Sequence, residues 1–114
     1  MAHIPQIKQA LGISAIRTEY YSWRSKTSKP QAQIDLIIER ADQIINLCEV
    51  KYSRTTYIIS ATEEEKLRNR MADFIAETGT RQAVNLTFIT TYGLKANQHS
   101  SDVSAQLTMD ALFT

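Results

Sequence analysis

The sequence is poor in cysteine, glycine and proline, with one, three and two residues of each among 114. A single cysteine, Cys48, cannot close an internal disulfide, so we expect a reducing, cytoplasmic compartment. Scarce glycine and proline, together with 43% hydrophobic residues, exclude collagen-like and disordered chains. Because no run of about 18 apolar residues and no positively charged, apolar leader occurs, we expect neither a membrane span nor a secretory signal.

Charge of one sign is also lacking, since 13 Lys and Arg residues stand against 12 Asp and Glu residues, for a net charge of +1. Residues 1 to 59 hold eight basic and five acidic side chains, and the remaining residues hold five and seven. We therefore expect an anionic ligand to prefer the first half. A chain of this length buries roughly 65% of its unfolded surface, which supports a single domain over 1–114 and excludes a two-domain enzyme.

Hydrophobic periodicity predicts the order helix, three strands, helix and strand, with a weak strand near the end. The first helix covers 4–11 and stops at Gly12, and the second begins at an N-cap on Thr62, with Glu65 completing a capping box, and ends at Gly79. The predicted strands cover 13–23, 31–40, 44–52, 83–91 and 103–107. Consecutive strands favour antiparallel pairing and the intervening helix favours a parallel crossover, so we predict an α/β fold whose mixed sheet is flanked by helices.

The strand over 31–40 shows the clearest alternation of the chain. Its even positions are apolar and are predicted to form one face, namely Ala32, Ile34, Leu36 and Ile38. Asp35 then points the other way. Glu49 and Lys51 lie in the next strand, two positions apart and so on one face. Charged groups inside strands lose hydration, which is unfavourable unless they are paired or bind a ligand. The presence of these three charged residues in strands therefore requires an explanation.

The length of the hairpin loop decides whether the three charges share a face. If Asp35 opposes Glu49, Arg40 pairs with Ile44 and a three-residue loop of 41–43 remains, which is a common hairpin class. A two-residue loop would instead turn Asp35 to the opposite face. The functional interpretation requires the three-residue loop.

Two carboxylates beside one ammonium suit metal-dependent cleavage of a phosphodiester bond. Mg²⁺ prefers oxygen ligands, which Asp35, Glu49 and the carbonyl of Val50 would supply, and Mn²⁺ is a possible substitute. Lys51 would position or deprotonate the attacking water and offset charge in the transition state. The alternative is a structural ion-pair cluster without metal or turnover.

A polar turn with three basic residues follows the first strand and is the best candidate for contact with nucleic acid. Its members are Arg24, Lys26 and Lys29, and Gln33 shares the predicted face of Asp35 and could contact phosphate. Other chemistry lacks support: His3, Cys48 and His99 do not have zinc-ligand spacing, and there is no Gly-x-x-x-x-Gly-Lys-Ser/Thr motif, so we expect no ATP site in this chain.

At these residues the sequence resembles the PD-(D/E)XK nuclease superfamily, whose signature places Asp on the second core strand and Glu-x-Lys on the third. Asp35 and Glu49-Val-Lys51 match that signature, and the predicted order of elements matches its core. More narrowly, 3–13, 32–38, 45–53 and 86–94 are similar to the C-terminal nuclease-like domain of bacterial P-loop ATPases. The resemblance implies a magnesium-dependent nuclease and a P-loop ATPase domain upstream, of which this chain would be the C-terminal fragment.

The sequence departs from the family in one respect that concerns the site. Family members generally carry an acidic residue on the first helix, whereas residues 1 to 12 contain none. Two functions therefore stay open: an active nuclease, and a nuclease-like module without turnover that binds a partner or regulates an ATPase. Composition does not indicate the oligomeric state.

Overall fold

A computed structural model describes residues 4 to 27 and 31 to 112. Within these ranges the chain forms one five-stranded sheet with two α-helices and a final 3₁₀ turn. The elements are α1 (Ile4–Ala10), β1 (Thr18–Arg24), β2 (Gln33–Arg40), β3 (Ile44–Lys51), α2 (Ala61–Thr78), β4 (Ala83–Thr90), β5 (Val103–Thr108) and the turn Met109–Leu112. The predicted α/β fold with a mixed sheet is confirmed.

The sheet follows the order of the chain, β1-β2-β3-β4-β5. The first two pairings are antiparallel, and β3–β4 and β4–β5 are parallel. Helix α2 is the crossover between β3 and β4, as the sequence predicted. The weak strand near the end is also present and forms the far edge of the sheet as β5.

The helices pack on opposite faces of the sheet. Ile4 and Ile7 of α1 pack with a group that contains Leu36, Ile38 and Cys48. On the other face Phe74 of α2 packs with Ile34, Ile37, Ile45 and Leu47, and Leu67 packs with Leu86 and Phe88. Successive side chains along the central strands therefore point in turn toward α1 and toward α2, and both faces of these strands are buried.

The hairpin between β2 and β3 has the register that the functional interpretation requires. Leu36 pairs with Cys48 and Glu39 with Ile45, which leaves residues 41–43 as the loop. Gln43 takes a left-handed conformation with φ of 70°, and its N–H donates to the carbonyl of Arg40. This is the three-residue loop on which the functional interpretation depended.

Three local predictions were wrong. The first strand starts at Thr18, not at residue 13, because Ile13 is buried in the turn after α1. The N-cap of α2 is Ser60, whose hydroxyl accepts from the N–H of Glu63, so Thr62 lies inside the helix. The even positions of β2 do not share one face, since Ile34 packs toward α2 and Leu36 toward α1.

A β-bulge explains the change of face in β2. Tyr21 pairs with Ile37 and Trp23 with Ile34, so β2 has one residue more than β1 between these pairs. The extra residue falls at Asp35–Leu36, directly beside the candidate site. Bulges of this kind turn a side chain away from the regular alternation.

Candidate functional site

The sheet splits between β2 and β3 at one end. Pairing of these strands stops at Leu36–Cys48, whereas β2 stays paired with β1 as far as Gln33 and β3 stays paired with β4 as far as Lys51. A cleft of about 260 Å³ occupies the split, and we call it the fork cleft. Its lining is Gln33, Asp35, Cys48, Glu49, Val50, Lys51 and Arg70.

The fork cleft brings together the three charged residues that the sequence singled out. Asp35 comes from β2 beside the bulge, and Glu49 and Lys51 come from the carboxyl end of β3. Val50 also lines the cleft, on the stretch of β3 that lacks a partner in β2. The lining of the cleft therefore includes all four of these residues.

Helix α2 adds two charged residues, Glu63 and Arg70, for which the sequence predicted no role at the site. The Arg70 guanidinium donates to Glu49 Oε2 at 2.7 Å. Lys51 Nζ lies 3.7 Å from Glu49 Oε1 and 3.2 Å from Glu63 Oε2. The charges thus alternate in sign along a chain that runs from Arg70 through Glu49 and Lys51 to Glu63.

Tyr57 completes this chain of contacts. Its hydroxyl lies 2.7 Å and 2.8 Å from the two Glu63 carboxylate oxygens. Burial, followed by the hydrogen bond to Glu63, raises the pKa of Tyr57 above its ordinary value. The hydroxyl therefore stays protonated near neutral pH and holds Glu63 in place beside Lys51.

The spacing of Glu63 and Arg70 carries a signal that could have revealed their role. Residues seven apart lie on one face of a helix, and Leu67, four after Glu63, is buried. A second cavity of about 300 Å³ follows this face and shares Glu49, Lys51 and Arg70 with the fork cleft. It continues past Lys66 to Ser60 and Thr62, at the N-terminal end of α2.

Gln33 links the predicted nucleic-acid turn to the fork cleft. Its amide donates to Asp35 Oδ1 at 2.7 Å, and its oxygen accepts from Arg24 at 3.4 Å. Arg24 and Lys26 are exposed. Lys29 lies outside the described residues. Among the described residues, the turn and the fork cleft therefore form one continuous polar surface.

Metal-ligating groups are sparse. Within residues 4–27 and 31–112, no three His, Cys, Asp or Glu side chains are grouped so that they could hold a metal ion. His99 instead lies near Glu64, with its Nδ1 3.1 Å from Oε1, and neither residue lines the fork cleft. In the same ranges, no helix has the length and apolar character needed to span a membrane.

Comparison with known proteins adds evidence on the fold. No protein-family model and no curated protein matches the chain. A crystal structure described as a "Protein of Unknown Function", AF1548, superposes with a TM-score of 0.59 and 14% sequence identity. The match covers 93% of this chain and 60% of the other, so the chain spans less than two thirds of that protein. At this identity the likeness shows a shared α/β fold.

Proposed function

We propose that the chain is a nuclease-like domain of the PD-(D/E)XK type that hydrolyses phosphodiester bonds in nucleic acid with the help of a divalent metal. The observation that carries the proposal is the convergence of Asp35, Glu49 and Lys51 on the fork cleft from two separate strands. Two carboxylates and a cation at a site that a phosphate can reach are the groups this reaction requires.

The oxygen donors of the site suit a divalent cation. The fork cleft is lined by the two carboxylates of Asp35 and Glu49 and by the two cations of Lys51 and Arg70. Among the described residues, Asp35 Oδ2 accepts no hydrogen bond. Asp35, Glu49 and the carbonyl of Val50 are oxygen donors of the kind that Mg²⁺ and Mn²⁺ prefer, and these residues would hold the ion. A bound divalent ion supplies Lewis-acid chemistry and neutralises phosphate charge.

Lys51 is the catalytic cation of the proposal. Glu49 and Glu63 hold its ammonium from two sides, so the group is fixed before a substrate binds. A fixed cation stabilises the negative charge that develops on the phosphoryl oxygens without the cost of reorganisation. Arg70 orients Glu49, and Tyr57 orients Glu63.

Loss of the central groups tests the proposal directly. We expect Asp35→Asn and Lys51→Ala each to slow Mg²⁺-dependent cleavage of labelled oligonucleotides by about 100-fold or more, because each removes a group needed at the developing charge. Glu65→Gln and Arg81→Ala are matched controls, since each removes the same charge from an exposed position. Cleavage by either site variant at the parent rate would disprove the mechanism.

A second candidate function is a nuclease-like module without turnover that serves as an interaction or regulatory domain, for example of an upstream P-loop ATPase. The Arg70–Glu49 contact of 2.7 Å favours it, since an arginine already neutralises a carboxylate that the metal would need. The lack of a third acidic ligand among the described residues points the same way.

The Arg70→Ala variant separates the two functions. If Arg70 competes with a metal ion for Glu49, its removal tightens Mn²⁺ binding by about fivefold, which corresponds to about 1 kcal/mol for a partly exposed pair. Thermal shift against Mn²⁺ concentration measures this, because an ion that binds only the folded state raises the melting temperature. Glu49→Gln should abolish the shift. A parent protein and an Arg70→Ala variant that both fail to respond to millimolar Mn²⁺ would favour the inactive module.

A further inference from the structure

Two tyrosines stand exposed where β3 and β4 end. Tyr52 is 80% exposed and Tyr92 is 61% exposed, the highest values among the exposed large hydrophobic side chains of the described residues. Tyr52 directly follows Lys51, and Lys51 pairs with Thr90 in the parallel register, so both rings lie at the same edge of the sheet. An exposed aromatic ring forgoes the large free-energy gain of burial, so two exposed rings at one edge of the sheet indicate a binding surface.

The backbone beneath these rings is held in place. The N–H of Ser53 donates to Thr91 Oγ1 at 3.2 Å, and Tyr57 and Gly93 are joined by a 2.8 Å hydrogen bond between their main chains. Gly93 has φ of 99°, and its N–H donates to Thr90 Oγ1 at 2.8 Å, which closes the turn that presents Tyr92. The rings are therefore carried on a fixed support.

The same edge is positively charged. Arg54 and Lys95 are exposed and form no ion pair with any described residue. Residues 52–60 and 91–98 contain no Asp or Glu. Glu63, which Tyr57 holds beside Lys51, belongs to the neighbouring cavity and pairs with neither Arg54 nor Lys95. We call the set Tyr52, Arg54, Tyr92 and Lys95 the carboxyl-edge surface.

We propose that the carboxyl-edge surface binds single-stranded nucleic acid. Unpaired bases stack on the Tyr52 and Tyr92 rings, and the phosphates of the same strand lie near Arg54 and Lys95. Aromatic faces combined with unpaired cations bind single strands in this way, whereas a duplex hides the faces of its bases. One further step rests on the proposed function: the strand bound at this surface leads to Lys51, the residue before Tyr52.

Binding in EDTA tests the surface apart from cleavage. Fluorescence anisotropy with labelled oligothymidylate of about 20 nucleotides should show Tyr52→Ala and Tyr92→Ala each weakening binding about fivefold or more. Tyr20→Ala is the matched control, since Tyr20 is 54% exposed on β1. Arg54→Ala and Lys95→Ala should each reduce the slope of log K against log salt by about 0.7. A duplex of the same length should bind more weakly than the single strand.

Several results would overturn the surface. Unchanged binding by both tyrosine variants, or equal affinity for the duplex, contradicts base stacking. A parent dimer in size-exclusion chromatography that Tyr52→Ala converts to monomer, without loss of oligonucleotide binding, would assign the edge to self-association instead. If the edge variants lose binding but the parent never cleaves, the surface stands and the nuclease proposal fails. If the edge variants bind normally while Asp35→Asn abolishes cleavage, the nuclease proposal stands and the proposed binding surface fails.

Discussion

Glu77, near the end of α2, accepts three hydrogen bonds from the turn that follows β1. The hydroxyls of Ser25 and Thr27 and the N–H of Lys26 all donate to its carboxylate. These bonds, that from Ser25 first, lower the pKa of Glu77 below its ordinary value. One carboxylate therefore fixes the backbone of a turn whose basic side chains are candidates for nucleic-acid contact.

The pH dependence of stability tests this role. A carboxylate with a lowered folded-state pKa contributes stability that is complete above its unfolded pKa and is lost as the pH falls through the folded value. We expect Glu77→Gln to have a lower melting temperature than the parent at pH 7, because charge-assisted hydrogen bonds are weakened. The difference should shrink below about pH 4. Glu65→Gln should show no difference at any pH, and equal melting temperatures of Glu77→Gln and the parent at pH 7 would exclude the role.

The β2–β3 hairpin contains the only non-glycine residue with positive φ in the described part of the chain, Gln43. A left-handed conformation costs an ordinary side chain roughly 1 kcal/mol, which glycine avoids. We expect Gln43→Gly to raise the free energy of unfolding by about 0.5 kcal/mol after the greater entropy of unfolded glycine is counted. Urea denaturation measures the change.

Asp42→Gly is the control for this substitution. Asp42 lies next to Gln43 and has no positive φ, and its carboxylate pairs with Arg40, so glycine there should lower stability. A loss of stability in Gln43→Gly comparable to that of Asp42→Gly would mean that the left-handed residue carries no strain.

Local rules limited the β2–β3 hairpin to two registers, one for each loop length, and the structure has the register of the three-residue loop. Once residues 41–43 form the loop, Leu36 must pair with Cys48, and Asp35 and Glu49 lie at the same end of the β2–β3 hairpin. The bulge in β2 could not be predicted in the same way. It depends on how β2 pairs with β1, a strand that is separated from it along the chain by residues 25–32. The start of β1 was misjudged for a similar reason, since burial of Ile13 is set by its tertiary surroundings.

The candidate site was predictable in part. Asp35, Glu49 and Lys51 were found because charged residues are unusual inside strands. Glu63 and Arg70 were missed because charges are ordinary on helices, and only the packing of Leu67 and Phe74 against the sheet decides which face of α2 meets β3. Tyr57 lies in a loop, where sequence periodicity gives no direction for a side chain.

The whole molecule is built around a core that contains its one thiol. Cys48 is 1% exposed and packs among side chains from α1 and the sheet. Burial, with the neighbouring charge of Glu49, raises the pKa of Cys48 to about 12. The thiol is therefore protonated at neutral pH and shielded from reagents, although it lies at the back of the fork cleft.

The reactivity of Cys48 should report unfolding of the whole domain. At pH 8 we expect a disulfide reagent to modify the native protein at the rate set by opening of the structure, since only the thiolate is nucleophilic. Urea should accelerate modification in step with unfolding. Phe74→Ala should accelerate modification without any denaturant, because loss of this fully buried ring lowers the free energy of unfolding by about 3–5 kcal/mol. Immediate modification of the folded parent would show that the fork cleft admits the reagent to the core.

The early end of the β2–β3 ladder has a consequence for solvent. Main-chain groups of residues 49 to 51 that point away from β4 have no strand opposite them, so water must complete their hydrogen bonds in the middle of the sheet and not at its margin. The amide hydrogens among them that face the gap should exchange with deuterium sooner than the amide hydrogen of Leu47, although they belong to the same strand. A ligand bound in the gap would displace this water, and slower exchange at those same amides would report its binding.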